Sequence, residues 1–501
     1  MKSIVGALLL GLVSLAAAEN KPVNVVVDFA TRKYAIPAGI LGAQLGWVPN
    51  GFYRDSGALD RLRRAGFASM RLDAFLQKVF ATETPDWSLI DPVLAALARA
   101  QIQPLIMVGY TPPSLEPRPN PCAAGVAAYH AWPRDLKRWS ELATALVAHF
   151  DRAFPGLVRD YEIWNEPDQQ AGMCLPVAAQ TSRLKSYLRM FALAAGPMRA
   201  QAGLDHVKIR VGGPAISRPQ PAAAWVRALR RTAGGPDFIS YHQYLATVSD
   251  IRAGLDWDGP DPSLSLRART LDVQYGMAAG FRRVQRAARS VPVYLDEHNA
   301  SDAYQADCCR NHPVYAPLWN ALAVQELLNS AHPDTMGVPD RIMYFAAQDW
   351  FVPDRPNTAW FCLMGSLNSR MDCDYADGKS DPYPQFYAYE LMAGEDYLAL
   401  SRGGYLAGSA HADNSAIHVA AWSGDRGRAV LLTNSGRPAH QLVLTVRDSS
   451  NFPETATRYL LQAGHPGIQA ETLAFPPSRG KRTLTISMPG YSVVGLLLRS
   501  R

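Results

Sequence analysis

From about Ile40 onward, short apolar runs alternate with longer stretches of helical spacing. Ile40–Gly46, Ala68–Phe75, Gln103–Tyr110, Tyr161–Glu166, Val207–Gly212, Phe238–Tyr244, Val291–Glu297 and Ile342–Phe345 are of strand length. Between them the apolar positions change period. Leu136, Trp139, Leu142, Ala143, Leu146, Val147 and Phe150 recur at steps of three and four, one stripe along a helix. Asp91-Pro92 reads as a helix start, with a capping acid ahead of a first-turn proline. Eight strands separated by helices predict an α/β fold, a closed (β/α)8 TIM barrel with its helices outside. An open doubly wound sheet is the main competitor, but no glycine-rich phosphate turn follows the first run.

The alternation stops near Leu398. Ala416–Trp422, Arg428–Thr433, Gln441–Val446, Thr483–Ser487 and Ser492–Leu498 are then short alternating runs separated by turn residues, which predict a C-terminal β-sandwich. Val23–Phe29 has strand character and no helix of its own, so it is expected to join that sandwich. The expected division is a signal peptide over 1–18, the N-terminal strand segment over 19–38, the barrel over 39–395 and the sandwich over 396–501. The signal rests on Lys2, the apolar Ile4–Leu15 and Ala16-Ala17-Ala18, an A-x-A-type cleavage site after a core too short to span a bilayer. The mature protein is therefore expected to be secreted, soluble and without a membrane span.

Composition changes this picture little. The chain has 501 residues, 48% of them apolar and 19% charged, and its net charge of +6 is scattered, without the basic stripe of a nucleic-acid binder. Six cysteines in an exported chain suit disulfides, and no CxxC or histidine-rich spacing supports zinc, so neither metal nor cofactor is expected. Spacing alone leaves connectivity open. Cys122 with Cys174, and Cys362 with Cys373, are the favoured pairs, with Cys308-Cys309 left as a vicinal bridge or as two thiols.

The chemistry gathers at two strand ends. Tyr161-Glu162-Ile163-Trp164-Asn165-Glu166-Pro167-Asp168 closes the fourth strand with an acid before a proline. Such an acid often only ends a turn, so a partner decides its meaning. Val293-Tyr294-Leu295-Asp296-Glu297-His298-Asn299 supplies one at the end of the seventh strand. Barrels carry their chemistry at these C-terminal lips, where Glu166 and Glu297 would face each other. In a retaining glycosidase the two carboxyl groups stand ~5–5.5 Å apart, one as acid/base and one as nucleophile. Glu166 is the expected acid/base, which needs a raised pKa. Glu297 is the expected nucleophile, kept ionised by Arg71 at the end of the second strand. Strand alternation favours Glu297 over the adjacent Asp296, and Glu162 lies deeper, as a structural hydrogen-bond or ion-pair partner. His242 and Tyr244 share a face of the sixth strand and are expected to donate to the nucleophile or to a sugar hydroxyl. Asn165 is expected beside the sugar. Tyr110, Trp164, Trp350 and Trp360 stand at or after strand ends as stacking surfaces, with core packing an equal reading for Trp164. Asn299-Ala300-Ser301 matches an N-glycosylation pattern that is expected to stay unmodified, because a glycan there would block the mouth.

These residues resemble glycoside hydrolase family 39. Trp139 and Tyr161–Pro167 look like its acid/base segment, Val211–Ala215 its fifth strand end, and Asp237–Tyr244 its sixth strand. Met364–Asn368 and Pro382–Leu391 resemble the run leading into the family's sandwich. The resemblance implies retaining cleavage of β-xylosides, iduronides or related linkages without a cofactor, so a carbohydrate is the expected partner. It covers most of the chain after residue 18. The chain departs from the family pattern at Asp73 on strand two, His298 after the second acid, and Tyr344-Phe345 on strand eight. Specificity is therefore expected to differ from that of a plain xylosidase. An inactive carbohydrate-binding barrel, a structural wall protein and an inverting hydrolase are the competing readings.

Overall fold

The computed structural model describes residues 21–45, 52–73, 75–176, 182–246, 270–274, 276–301, 315–331, 337–348, 363–365, 381–448, 454–462, 465, 467–476 and 482–499. The first strand, β1 (Val23–Ile36), lies outside the barrel. Eight strands then close on themselves: β2 (Leu41–Leu45), β3 (Ser69–Leu72), β4 (Gln103–Val108), β5 (Asp160–Ile163), β6 (Arg210–Ile216), β7 (Ile239–Ala246), β8 (Val293–Ser301) and β9 (Arg341–Gln348). Every pairing is parallel, and β9 returns to β2 through Leu41 opposite Ile342. All eight expected runs are strands of this barrel, and helices connect them.

Local chemistry explains the helices. The stripe from Leu136 to Phe150 is buried along the helix Leu136–Ala153. Asp135 caps that helix by accepting from the Arg138 amide at 2.9 Å, and Ser182 caps Arg183–Leu204 in the same way. The start at Asp91 differs from expectation. Asp91 sits inside the first turn, after Ile90, and its carboxylate takes His149 Nε2 at 2.8 Å instead of capping.

After the helix Pro384–Ala393 the chain adds β12 (Gly404–Ala412), β13 (Ile417–Gly424), β14 (Gly427–Asn434), β15 (His440–Arg447), β16 (Thr455–Gln462), β17 (Gln469–Ala474), β18 (Arg482–Met488) and β19 (Ser492–Arg499). The short pair β10 (Met364–Gly365) and β11 (Asp381–Pro382) precedes them. The eight later strands and β1 form one ladder in the order β17-β16-β19-β14-β13-β12-β1-β15-β18. β1 runs antiparallel to β12 and parallel to β15. The ladder folds over one apolar core, with Val25 and Val27 packed among Val419, Leu432, Leu444, Ile486 and Leu496. This is the sandwich.

One layer of the sandwich is apolar on both faces. Val430, Leu432, Val494 and Leu496 point into the sandwich core, while Leu431, Val493, Leu497 and Trp422 join the barrel core. The helix Tyr315–Asn329 covers that outer face. Gln325 Nε2 donates to Leu431 O at 2.9 Å and Asn329 Nδ2 to Val419 O at 2.9 Å. These bonds tie that helix of the barrel to β13 and β14 of the sandwich.

Candidate active site

Arg71 organises the lip. It leaves the end of β3 fully buried. Its guanidinium donates to Glu162 Oε2 at 2.7 Å, Glu297 Oε1 at 2.7 Å, Asn165 Oδ1 at 2.8 Å and Gln44 Oε1 at 3.0 Å. Asp73 Oδ1 at 3.2 Å and Asp296 Oδ2 at 3.3 Å complete its surroundings. Burial opposes the charge, but the carboxylates, Glu162 first, hold the guanidinium well above its usual pKa. A buried cation with this many anions leaves a surplus of negative charge, which a further proton or cation must offset.

His242 supplies part of that offset. Its ring is fully buried on β7, with Nδ1 2.8 Å from Glu166 Oε1 and 3.3 Å from Glu297 Oε2. On the other side Nε2 lies 3.6 Å from Asp296 Oδ2. Burial disfavours the imidazolium, but Glu297 and Asp296 outweigh it, and its pKa stands well above the usual histidine range. One side-chain atom each from Glu166, His242 and Glu297 lies within 4.8 Å of the others. Three such atoms are close enough to hold an ion, but Arg71 and the His242 ring already provide the positive charge there.

Each acid has its own setting. Glu166 follows β5 with φ of 47°, in the left-handed region, and its amide donates to Ala215 O at 3.0 Å. Gly172 makes this turn possible, since a Cβ there would come within 2.1 Å of Glu166 O. Gln169 Nε2 donates to Glu166 Oε2 at 3.2 Å. Glu297 accepts the Tyr244 hydroxyl on Oε2 at 2.7 Å. Burial pushes the Glu297 carboxyl up to about 7; His242 and Arg71 pull it down, while Glu166 and Asp73 push it further up.

Asp296 departs from the alternation argument. The pairing register slips between Tyr241 and His242 against Leu295 and Glu297, so both acids turn inward. Asp296 is fully buried; burial would raise its pKa, but His242 and Arg71 outweigh that and hold it low. It braces His242 from behind, while Glu297 faces Glu166. Glu162 is buried in its ion pair with Arg71, at the depth expected of it.

Most of the other expected residues converge here. Tyr110 is buried and hydrogen-bonds Asn165, whose Oδ1 is held by Arg71. Trp164 is fully buried, donates to Gly172 O at 2.8 Å and packs on Trp139 and Tyr110. It supports the site from below and offers no stacking face. Trp350 and Trp360 lie outside the described residues. Asn299 is buried, and its amide donates to Phe345 O at 2.7 Å, so it offers no exposed acceptor for a glycan.

Several contributors escaped the sequence reading. Asp73 was marked only as a departure from the family pattern, although it shares the parity of Arg71, and Gln44 carries no local mark. Another is the aromatic wall of Tyr129 and His130, whose rings lie 5.5 and 4.3 Å from Tyr110. The Cys122–Cys174 disulfide secures it, together with Trp132 N donating to Cys174 O at 2.8 Å and Cys174 N to His130 O at 2.9 Å. The remaining four cysteines, 308, 309, 362 and 373, lie outside the described residues.

The sequence profile of the glycosyl hydrolases family 39 matches residues 50–333, more than half of the chain. The chain belongs to that family. Membership makes it a glycosidase with a carbohydrate substrate. A family 39 enzyme from Xanthomonas axonopodis pv. citri has the same fold, with a TM-score of 0.67 at 16% identity over 98% of this chain and 100% of its own. A monomeric β-xylosidase from Caulobacter crescentus CB15 superposes at 0.65 with 17% identity, covering 95% of this chain and 99% of its own. A bacterial orthologue of human α-L-iduronidase reaches 0.61 at 13% identity, over 96% and 84%. At these identities the likeness establishes the barrel and sandwich shared with them. Among the described residues no helix is long and apolar enough to cross a membrane.

Proposed function

We propose that this family 39 glycosidase is an exported, retaining enzyme in which Glu166 is the acid/base and Glu297 the nucleophile. The carrying observation is the approach of Glu166 and Glu297 to within 4.8 Å through His242. Retaining pairs stand ~5–5.5 Å apart, while inverting pairs leave ~6.5–9.5 Å for a water. Export is supported by the apolar N-terminal run with its A-x-A site and by the disulfide between Cys122 and Cys174.

The residues divide the work. The imidazolium of His242 holds Glu166 Oε1 through Nδ1, and the acid form of Glu166 carries the transferable proton on its other oxygen. Glu166 then protonates the glycosidic oxygen as Glu297 Oε2 or Oε1 attacks the anomeric carbon, and the bond to the leaving group breaks. Arg71 and the Tyr244 hydroxyl hold Glu297 in line and favour its carboxylate form. In the second half Glu166, now a carboxylate, takes a proton from water, which displaces Glu297 and restores both groups.

The test uses an aryl glycoside found by screening both anomers of the common sugars. Glu297→Ala with added azide should yield a glycosyl azide of inverted configuration, and Glu166→Ala with azide one of retained configuration, both read by proton NMR. Wild-type turnover by Glu297→Ala would refute the assignment.

A further inference from the structure

We infer that Asp73 selects a neutral glycon: its carboxylate stands beside Glu297 on one guanidinium nitrogen, where it accepts hydroxyl protons of the bound sugar and repels a sugar that carries a carboxylate. The inference rests on the glycosidase reading above and assigns the specificity of that same site.

The placement of Asp73 follows from β3. Arg71 and Asp73 are two residues apart and share a direction, so Asp73 stands one layer nearer the mouth than the buried arginine. Arg71 Nη1 lies 3.2 Å from Asp73 Oδ1 and 2.7 Å from Glu297 Oε1. A sugar placed over Glu297 therefore has Asp73 at its side. Gln44 Nε2 donates to Asp73 Oδ2, which fixes the plane of the carboxylate. About a quarter of the Asp73 side chain, 27%, stays accessible, away from the buried Oδ1, whereas Arg71, Glu162 and Asp296 are closed off. A carboxylate offers about four acceptor positions, and the hydroxyls of a sugar are the donors that suit them.

Charge excludes the alternative. Asp73, Glu162, Glu166, Asp296 and Glu297 surround Arg71 and His242, and both cations are already shared among them. The cations acting on Asp73 are Arg71, His242 and Lys78, the last on the helix Phe75–Val79 that follows. A uronic acid would add another carboxylate to this surplus, where burial already pushes the carboxyls of Asp73, Glu162 and Glu297 up. The same surplus suits a neutral sugar, whose anomeric carbon becomes positive on the way to the transition state.

The test compares matched 4-methylumbelliferyl glycosides, in both anomers, that differ only in a neutral hydroxymethyl or a carboxylate on C5. Glucoside against glucuronide, galactoside against galacturonide, and idoside against iduronide are such pairs. Wild-type protein should favour the neutral member in kcat/KM by about 30-fold or more, the scale of two charges a few ångströms apart in a partly buried site. Asp73→Asn, checked for unchanged melting temperature, should shrink that ratio about tenfold or more, with the loss on the neutral member falling mainly on KM. Asp73→Ser is a second variant should the first fold poorly. Lys78→Met separates the opposite role, because a lysine that recognised uronates would make the wild type prefer the carboxylate member. If no pair is turned over, calorimetric titration with 1-deoxynojirimycin and its C6-carboxylate analogue reads the same preference as binding. Turnover or binding that favours the carboxylate member, or a ratio that Asp73→Asn leaves unchanged, overturns the inference and leaves the glycosidase reading standing. Neither turnover nor binding of any probe overturns both.

Discussion

His242 is the strongest single test of the electrostatics. Its Nδ1 is 3.3 Å from Glu297 Oε2, and both groups are buried. At an effective dielectric of about 20, a unit charge at that distance is worth about 5 kcal/mol, or more than three pK units as an upper bound. Relaxation and water entering the vacated space in His242→Asn reduce this, so a rise of about two units is expected. Glu297 already stands at about 7. Its ionised fraction at neutral pH would then drop from about a half to about one in a hundred, and kcat/KM would fall about 50-fold. The sign follows from the carboxylate: removing a cation raises its pKa, so activity returns as pH rises. A 2,4-dinitrophenyl glycoside, whose leaving group needs no proton, isolates this limb of the pH profile. The wild-type profile should fall on the acid side near pH 7, and that of the variant near pH 9. A variant limb still near 7, with activity reduced equally at every pH, would mean that His242 acts by shape and not by charge.

Two further changes follow from the same geometry. Glu297 is raised from 4.5 to about 7 in the folded state, so its contribution to stability is present below the unfolded value and lost as pH rises through about 7. Glu297→Gln should therefore be more stable than wild type at pH 8, by up to roughly 3 kcal/mol, with no gain near pH 4. Guanidinium titrations at the two pH values would show this, and lower stability of the variant at pH 8 would refute it. The Cys122–Cys174 bond spans 52 residues of sequence. Replacing both cysteines by serine removes a chain constraint worth about 4 kcal/mol in the loop-entropy account. The double variant should melt earlier and show a raised KM as the Tyr129 and His130 wall loosens. Unchanged melting and KM would show that the backbone bonds around Cys174 suffice.

How much of this was legible depended on what the side chains repeat. Buried barrel strands announce themselves as apolar runs between helical stripes, and all eight were visible. Of the sandwich strands β12, β16 and β17 were not: most residues of β12 and β17 meet solvent, and β16 opens on Thr455, Thr457 and Arg458 without a clear apolar alternation. The placement of Asp296 was missed for a different reason: one slip of register against Tyr241 and His242 turns both acids inward, so parity cannot separate Asp296 from Glu297, and nothing in Val293–Asn299 marks the slip. Asp91 looked like a cap because an acid before proline usually is one, yet His149, 58 residues away, claims its carboxylate. The paired acids were found because their strand positions are a property of topology. The charges that tune them come from distant strands and are a property of packing.

The position of β1 has a consequence for the order in which the molecule can assemble. Its two neighbours are β12 and β15, with Val25 opposite Ala412 on one side and Leu444 on the other. β1 is therefore an open edge on both sides until Ala412 is made, and on one side until Arg447 is. Such an edge invites pairing with other chains. Translation must therefore run through β15 before β1 can find its place.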